Sequence, residues 1–208
     1  FDLAGGWTDT PPYTLREGGR VVNLAVDLNG QPPIQVFCRR TVERHVRVHS
    51  IDLGHTETFT RFDELRDYRD PVSPFALPKA ALCLMGLDGA APGARALPEV
   101  LDGLGSGLEI TLLCAVPKGS GLGTSSVLGG VILAALSRLL GRPLVLDELI
   151  RQVLQVEQML TTGGGWQDQI GGLVSGVKCE ESRPGLRPHP VIHHLDPFLF
   201  QDEGSLAC

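Results

Sequence analysis

Apolar positions recur along this chain with two different periods, and the changes between them divide it into strands and helices. A period of two marks His45–Ile51, where Val46 and Val48 alternate with Arg47 and His49 as in a strand with one wet face. Val21–Leu28, Ile34–Arg39 and Leu108–Val116 are apolar runs of strand length, and His55–Thr60 is a further strand candidate. Helical spacing runs over Phe75–Leu87, with Pro78 in the first turn, where a missing N–H is tolerated. It returns over Thr124–Leu140, stopped by Gly141 and Pro143, and over Asp147–Leu160, with Asp147 as the expected N-cap. Gly172–Cys179 and Pro190–Leu195 read as closing strands. Phe62–Asp70 is charged and reads as a mostly exposed segment, whereas Asp88–Gly107 is rich in glycine and proline and reads as a loop or a tolerant insertion. Phe1–Ala4 leads into a loop of turn formers, Gly5–Pro12. No repeat, low-complexity tract or heptad pattern breaks this order.

The chain is organised around the junction of the Leu108–Val116 strand with the helix that opens at Thr124. Its sequence, Pro117–Gly130, is PKGSGLGTSSVLGG. Gly119, Gly121 and Gly123 let the backbone turn tightly and approach an anion. The first N–H groups of the helix then face that anion, and the helix dipole favours it. Thr124, Ser125 and Ser126 place hydroxyls where a phosphate-bound metal would sit. The loop is neither a Walker A sequence nor G-x-G-x-x-G. A glycine-rich turn with serine caps is its plain structural alternative.

Geometry then brings the downstream residues back. At 1.5 Å per residue the first helix runs ~25 Å outward and the second returns ~21 Å, so a short antiparallel link carries the chain back to the loop. Gly163-Gly164-Gly165-Trp166-Gln167-Asp168-Gln169 is thereby delivered to the phosphate-type turn. On the second helix Glu157 shares the apolar face of Ile150, Val153 and Leu154, an expensive place for a carboxylate without a partner. A Mg²⁺ between phosphates and Ser126 would satisfy it; so would an arginine or an edge position that reaches water. Asp168 is placed to accept a proton from an attacking hydroxyl, or to cap a turn after the glycines. Asp9 offers acceptors for sugar hydroxyls and Trp7 a ring for a pyranose face, or both serve loop packing and an Asx-turn.

Composition narrows the class. The chain is 42% hydrophobic and 20% charged, with a net charge of −6 and scattered basic residues, which argues against a nucleic-acid partner. The five cysteines form no CxxC pair and the six histidines no metal-ligand spacing, so neither a zinc site nor a disulfide framework is expected. With no signal peptide and no apolar run long enough to span a bilayer, the expectation is a cytoplasmic protein without a membrane partner. No Gly-x-Ser-x-Gly elbow supports a hydrolase. The chain opens at Phe1 inside a strand, as a piece of a longer polypeptide would.

Taken together, these residues resemble the GHMP kinases, the family of galactokinase, homoserine kinase and mevalonate kinase. Pro117–Ser126 is similar to the family phosphate loop, with Thr124 in place of its first serine, and Glu157 and Asp168 resemble its magnesium ligand and catalytic aspartate. Ala4–Pro12 (AGGWTDTPP), the GSGLGTSS loop and GGGWQDQIGG together look most like the L-fucose kinase branch, with heptose kinases close to it. The resemblance implies an α+β fold, the ribosomal protein S5 domain 2-like N-terminal lobe of a GHMP kinase over 1–172. Residues 173–208 would begin a truncated second lobe.

The same resemblance implies a sugar kinase that uses ATP and Mg²⁺ to make L-fucose 1-phosphate. Pro117, Lys118, Gly119, Ser120, Gly121, Leu122, Gly123, Thr124, Ser125 and Ser126 would bind nucleotide. Ser126 and Glu157 would hold metal, Asp168 would act on the anomeric hydroxyl, and Gly6, Trp7, Asp9 and Asp168 would bind sugar. A family basic residue just before Phe1 and a third glycine-rich motif lie outside the sequence, so a non-catalytic sugar- or nucleotide-binding unit stands as the alternative. Further domains of the parent chain are the expected partners.

Overall fold

The computed structural model describes residues 1–70, 72–90, 93, 96–117, 119–161, 163–186 and 189–196. The chain runs β1 (Asp2–Ala4), α1 (Tyr13–Glu17), β2 (Gly19–Leu24), β3 (Ile34–Thr41), β4 (Val46–Ser50) and β5 (His55–Phe59). Next come α2 (Phe62–Arg66), a 3-10 turn over Asp67–Arg69, α3 (Ala76–Leu84), α4 (Leu97–Gly103) and β6 (Gly107–Cys114). It closes with α5 (Thr124–Leu139), α6 (Leu146–Met159), α7 (Gln167–Leu173), β7 (Val177–Ser182) and β8 (Val191–His194).

Two four-stranded sheets result. In the first the order is β3-β6-β4-β5, with β4 and β6 parallel and the other pairs antiparallel. Leu108, Ile110 and Leu112 of β6 and Val46 and Val48 of β4 feed the main core, which α3, α5 and α6 cover with Leu82, Ile132, Leu133, Leu136, Val153 and Val156. The second sheet, β1-β2-β7-β8, is wholly antiparallel. A smaller cluster of Val21, Ile150, Trp166 and Ile170 ties it to α6 and α7. Residue 172, where the sequence reading divides the chain, lies inside α7, and β7 beyond it pairs along its whole length with β2.

Helix α7 lies close against α5. A Cβ added to Gly172 would sit 2.3 Å from a methyl carbon of Val127, so only glycine allows this approach. Contact with α5 fixes where α7 opens, next to the loop between β6 and α5.

Several elements depart from the sequence expectation. Phe62–Asp70 is not a featureless exposed segment: Leu65 is fully buried, and the Glu64 carboxylate accepts the N–H groups of Thr60 at 2.7 Å and Arg61 at 3.1 Å to start α2. The expected loop 88–107 contains α4, anchored by fully buried Leu97 and Leu101 with Pro98 in its first turn. The strand β2 starts earlier and ends at Leu24, not Leu28. Val145, not Asp147, occupies the N-cap of α6 and makes no side-chain cap bond; Asp147 sits in the first turn, where its charge still suits the dipole. The strand expected over Gly172–Cys179 is displaced, because α7 continues to Leu173 and β7 begins at Val177. Among the described residues no helix is long and apolar enough to cross a membrane.

Candidate active site

Strand β6 delivers the chain to the glycine loop, and Gly119, Gly121 and Gly123 all adopt positive φ, at 81°, 74° and 63°. Gly123 is the left-handed N-cap of α5. It has a second reason to be glycine, since a Cβ there would lie 2.5 Å from Cγ of Asp168. Pro117, Ser120, Gly121, Leu122 and Ser125 stay exposed, with Gly119, while Thr124 is half-buried. Lys118 lies outside the described residues. The first α5 hydrogen bond runs from Val127 N to Gly123 O, which leaves the N–H groups of the preceding turn pointing out of the helix end.

Ser126 and Glu157 meet beneath this loop. Ser126 is buried at the start of α5, Glu157 is buried near the end of α6, and the Ser126 hydroxyl donates to Glu157 Oε1. Burial raises the Glu157 pKa; the Ser126 hydrogen bond opposes this, and Asp168 and Asp9 add to it. The helix pair thus runs out and back as its lengths require, and the face of α6 that packs with Ile150 and Val153 carries this carboxylate to the loop.

Asp168 stands in the first turn of α7 with its carboxyl against Gly123. The residue is open to solvent, yet its pKa is raised, first by lost hydration at the carboxyl and then by Asp9 and Asp2. Asp9 is almost completely buried. Its Oδ2 accepts the N–H of Gln167 at 2.8 Å, and Thr10 Oγ1 donates to Oδ1 at 3.4 Å. Burial raises its pKa and these bonds moderate the rise. Asp9 therefore caps the start of α7 through one oxygen. Trp7, at φ 73°, is 77% exposed and presents its ring to solvent beside half-buried Gly6.

Among the described residues no three His, Cys, Asp or Glu side chains gather as a metal-binding set. Magnesium bound through phosphates needs only one or two protein oxygens. A buried carboxylate with a raised pKa beside a hydroxyl, under a turn of free N–H groups, fits that need through Ser126 and Glu157.

Residues 93–176 match the GHMP kinases N terminal domain. Along its whole length the chain is 49% identical to the L-fucokinase/L-fucose-1-P guanylyltransferase of Bacteroides fragilis. The bifunctional fucokinase/GDP-fucose pyrophosphorylase of Arabidopsis thaliana is 35% identical over 95% of the chain. The chain spans only 22% and 17% of these two relatives' lengths. The fold is shared with a solved D-glycero-D-manno-heptose 1-phosphate kinase of Bacteroides thetaiotaomicron, at TM-score 0.67 and 22% identity over 94% of this chain and 57% of that one.

Sequence reasoning missed a polar layer directly beneath α7. Lys178 and Glu180 of β7 are completely buried, and so nearly is Asn23 of β2. Asn23 Nδ2 donates to Glu180 Oε1 at 2.6 Å, and Lys178 Nζ donates to the carbonyl oxygens of Gly171 at 3.2 Å and Gly176 at 3.4 Å. Burial pushes Glu180 up to about 8, against the pull of Asn23 and Lys178, and lowers Lys178, against the pull of Glu180. The available signal was alternation in Val177–Ser182: Lys178, Glu180 and Ser182 share one face. Polar residues ordinarily mark the wet face; here that face is the buried one.

Proposed function

We propose that this domain, within its full-length chain, transfers the γ-phosphoryl group of ATP to the anomeric hydroxyl of L-fucose, giving L-fucose 1-phosphate and ADP. The observation that carries the proposal is the convergence of three elements at one point. The glycine loop opens α5, the Ser126–Glu157 pair lies under it, and the Asp168 carboxyl rests against its last glycine. The choice of L-fucose is supported by 49% identity to a relative named an L-fucokinase.

In this reading the loop N–H groups and the α5 dipole hold the nucleotide phosphates. Ser126 and Glu157 would hold Mg²⁺, which when bound supplies charge neutralisation to the phosphate oxygens. Asp168 accepts the proton from the sugar O1 as that oxygen forms its bond to Pγ and the bond from Pγ to the β–γ bridging oxygen breaks. A raised pKa helps Asp168 as an acceptor, since a carboxylate near neutrality takes a proton more readily. Asp9 holds Asp168 in place through the Gln167 N–H, and the exposed Trp7 ring offers an apolar surface to the sugar. Most of the rate comes from this positioning.

Use of ATP and unpaired Cys38, Cys83, Cys114 and Cys179 suit a reducing cytoplasm. The test is steady-state kinetics of the full-length chain with Asp168→Asn. The proposal expects kcat to fall on the order of 10²- to 10⁴-fold with nucleotide affinity retained; an unchanged kcat refutes the assigned role.

A further inference from the structure

Helix α7 has little of its own to keep it in place. It is seven residues long and contains Gly171 and Gly172, well short of what stabilises an isolated helix. Upstream it hangs on Gly163, Gly164 and Gly165, which transmit no stiffness. Yet it carries Asp168, whose carboxyl must stay within a fraction of an ångström of its place against Gly123.

Packing on α5 and the buried Ile170 set its course; the polar restraint on its two ends comes from below. At the N-terminal end, the Gln167 carbonyl accepts from Asn23 Nδ2 at 3.4 Å, and that same amide is held by Glu180 Oε1 at 2.6 Å. At the C-terminal end, the Gly171 carbonyl accepts from Lys178 Nζ. The ammonium lies where the helix dipole is negative, and the Asp9 carboxylate at the other end lies where it is positive. Two residues of one strand, Lys178 and Glu180, thus reach both ends of the helix that bears Asp168. Stability alone does not call for this layer, because buried charges generally stabilise less than apolar residues of the same volume.

We propose that Lys178 is a positioning residue for phosphoryl transfer: with Glu180 and Asn23 it clamps α7 from beneath and so fixes Asp168 against the phosphate loop. The inference rests on Asp168 being the proton acceptor, and it predicts that Lys178 acts only through that residue.

The test is a double-mutant cycle in the full-length chain with Lys178→Met, Asp168→Asn and their combination. Lys178→Met is expected to lower kcat about 10- to 100-fold, the scale of a small misplacement, with the nucleotide Kd within about twofold of the parent. In the Asp168→Asn background it should add no further loss. Hydrogen exchange over residues 167–173 should accelerate in Lys178→Met. If Lys178→Met alone is unstable, the Lys178→Met/Glu180→Gln pair, which leaves no unpaired buried charge, carries the same comparison. An unchanged kcat in a folded variant overturns the clamp, as does an equal loss with and without Asp168. If Asp168→Asn itself keeps full activity, the acceptor assignment fails, and with it the premise of the clamp.

Discussion

Asp9 and Glu180 show how far a carboxylate's surroundings decide its work. Asp9 gives one oxygen to the Gln167 N–H, so Asp9→Asn, which keeps an acceptor, should hold the start of α7. Asp9→Ala should lose about 1 kcal/mol, the usual value of a helix cap, as read by chemical denaturation. Glu180 adds a pH dependence. Its pKa is pushed from the ordinary 4.5 to about 8 in the fold, so between those values the folded protein keeps a proton that the unfolded chain releases. Its contribution to stability is therefore fully present below about 4.5 and is lost as pH rises through about 8. Glu180→Gln imitates the protonated acid and keeps an acceptor for Asn23. Denaturation midpoints at pH 5 and pH 8.5 should differ less in that variant than in the parent.

At the scale of elements, the helix pair and the glycine turn were legible because strong signals agreed: apolar spacing, Gly141 and Pro143 as stops, and three glycines after a strand. Their lengths alone bring Glu157 and Asp168 back to the loop. What stayed hidden was held by tertiary contacts. Helix α4 sits in a glycine-rich stretch and forms because Leu97 and Leu101 reach the core. Helix α7 displaces an expected strand because it packs on α5 through Gly172, and the polar face of β7 is buried by tertiary contacts, with Lys178 against α7 and Ser182 against Thr14 of α1. Gly172→Ala tests that packing. Its Cβ would meet Val127 at 2.3 Å, and overpacking of this kind should cost about 1–3 kcal/mol in thermal or chemical melts.

For the molecule as a whole, the charge balance of the site matters more than its net charge. Asp9, Glu157, Asp168 and Glu180 all have raised pKa values, with mutual repulsion contributing to each of the last three. The domain is built with more carboxylates at this place than cations to meet them. Magnesium with a non-hydrolysable ATP analogue at 100 times Kd should stabilise the fold by about 2.7 kcal/mol. Glu157→Gln should lose the magnesium-dependent part of that gain in a thermal-shift measurement.

The central claim, transfer of a phosphoryl group to the anomeric oxygen of L-fucose, is tested most directly by ³¹P NMR of the product made by the full-length chain from Mg²⁺-ATP and L-fucose. The account predicts a phosphate resonance coupled to the anomeric proton of L-fucose, formed by the parent and lost on the same timescale in Asp168→Asn. A phosphate on another hydroxyl, or the same product formed as fast without the Asp168 carboxylate, would contradict it.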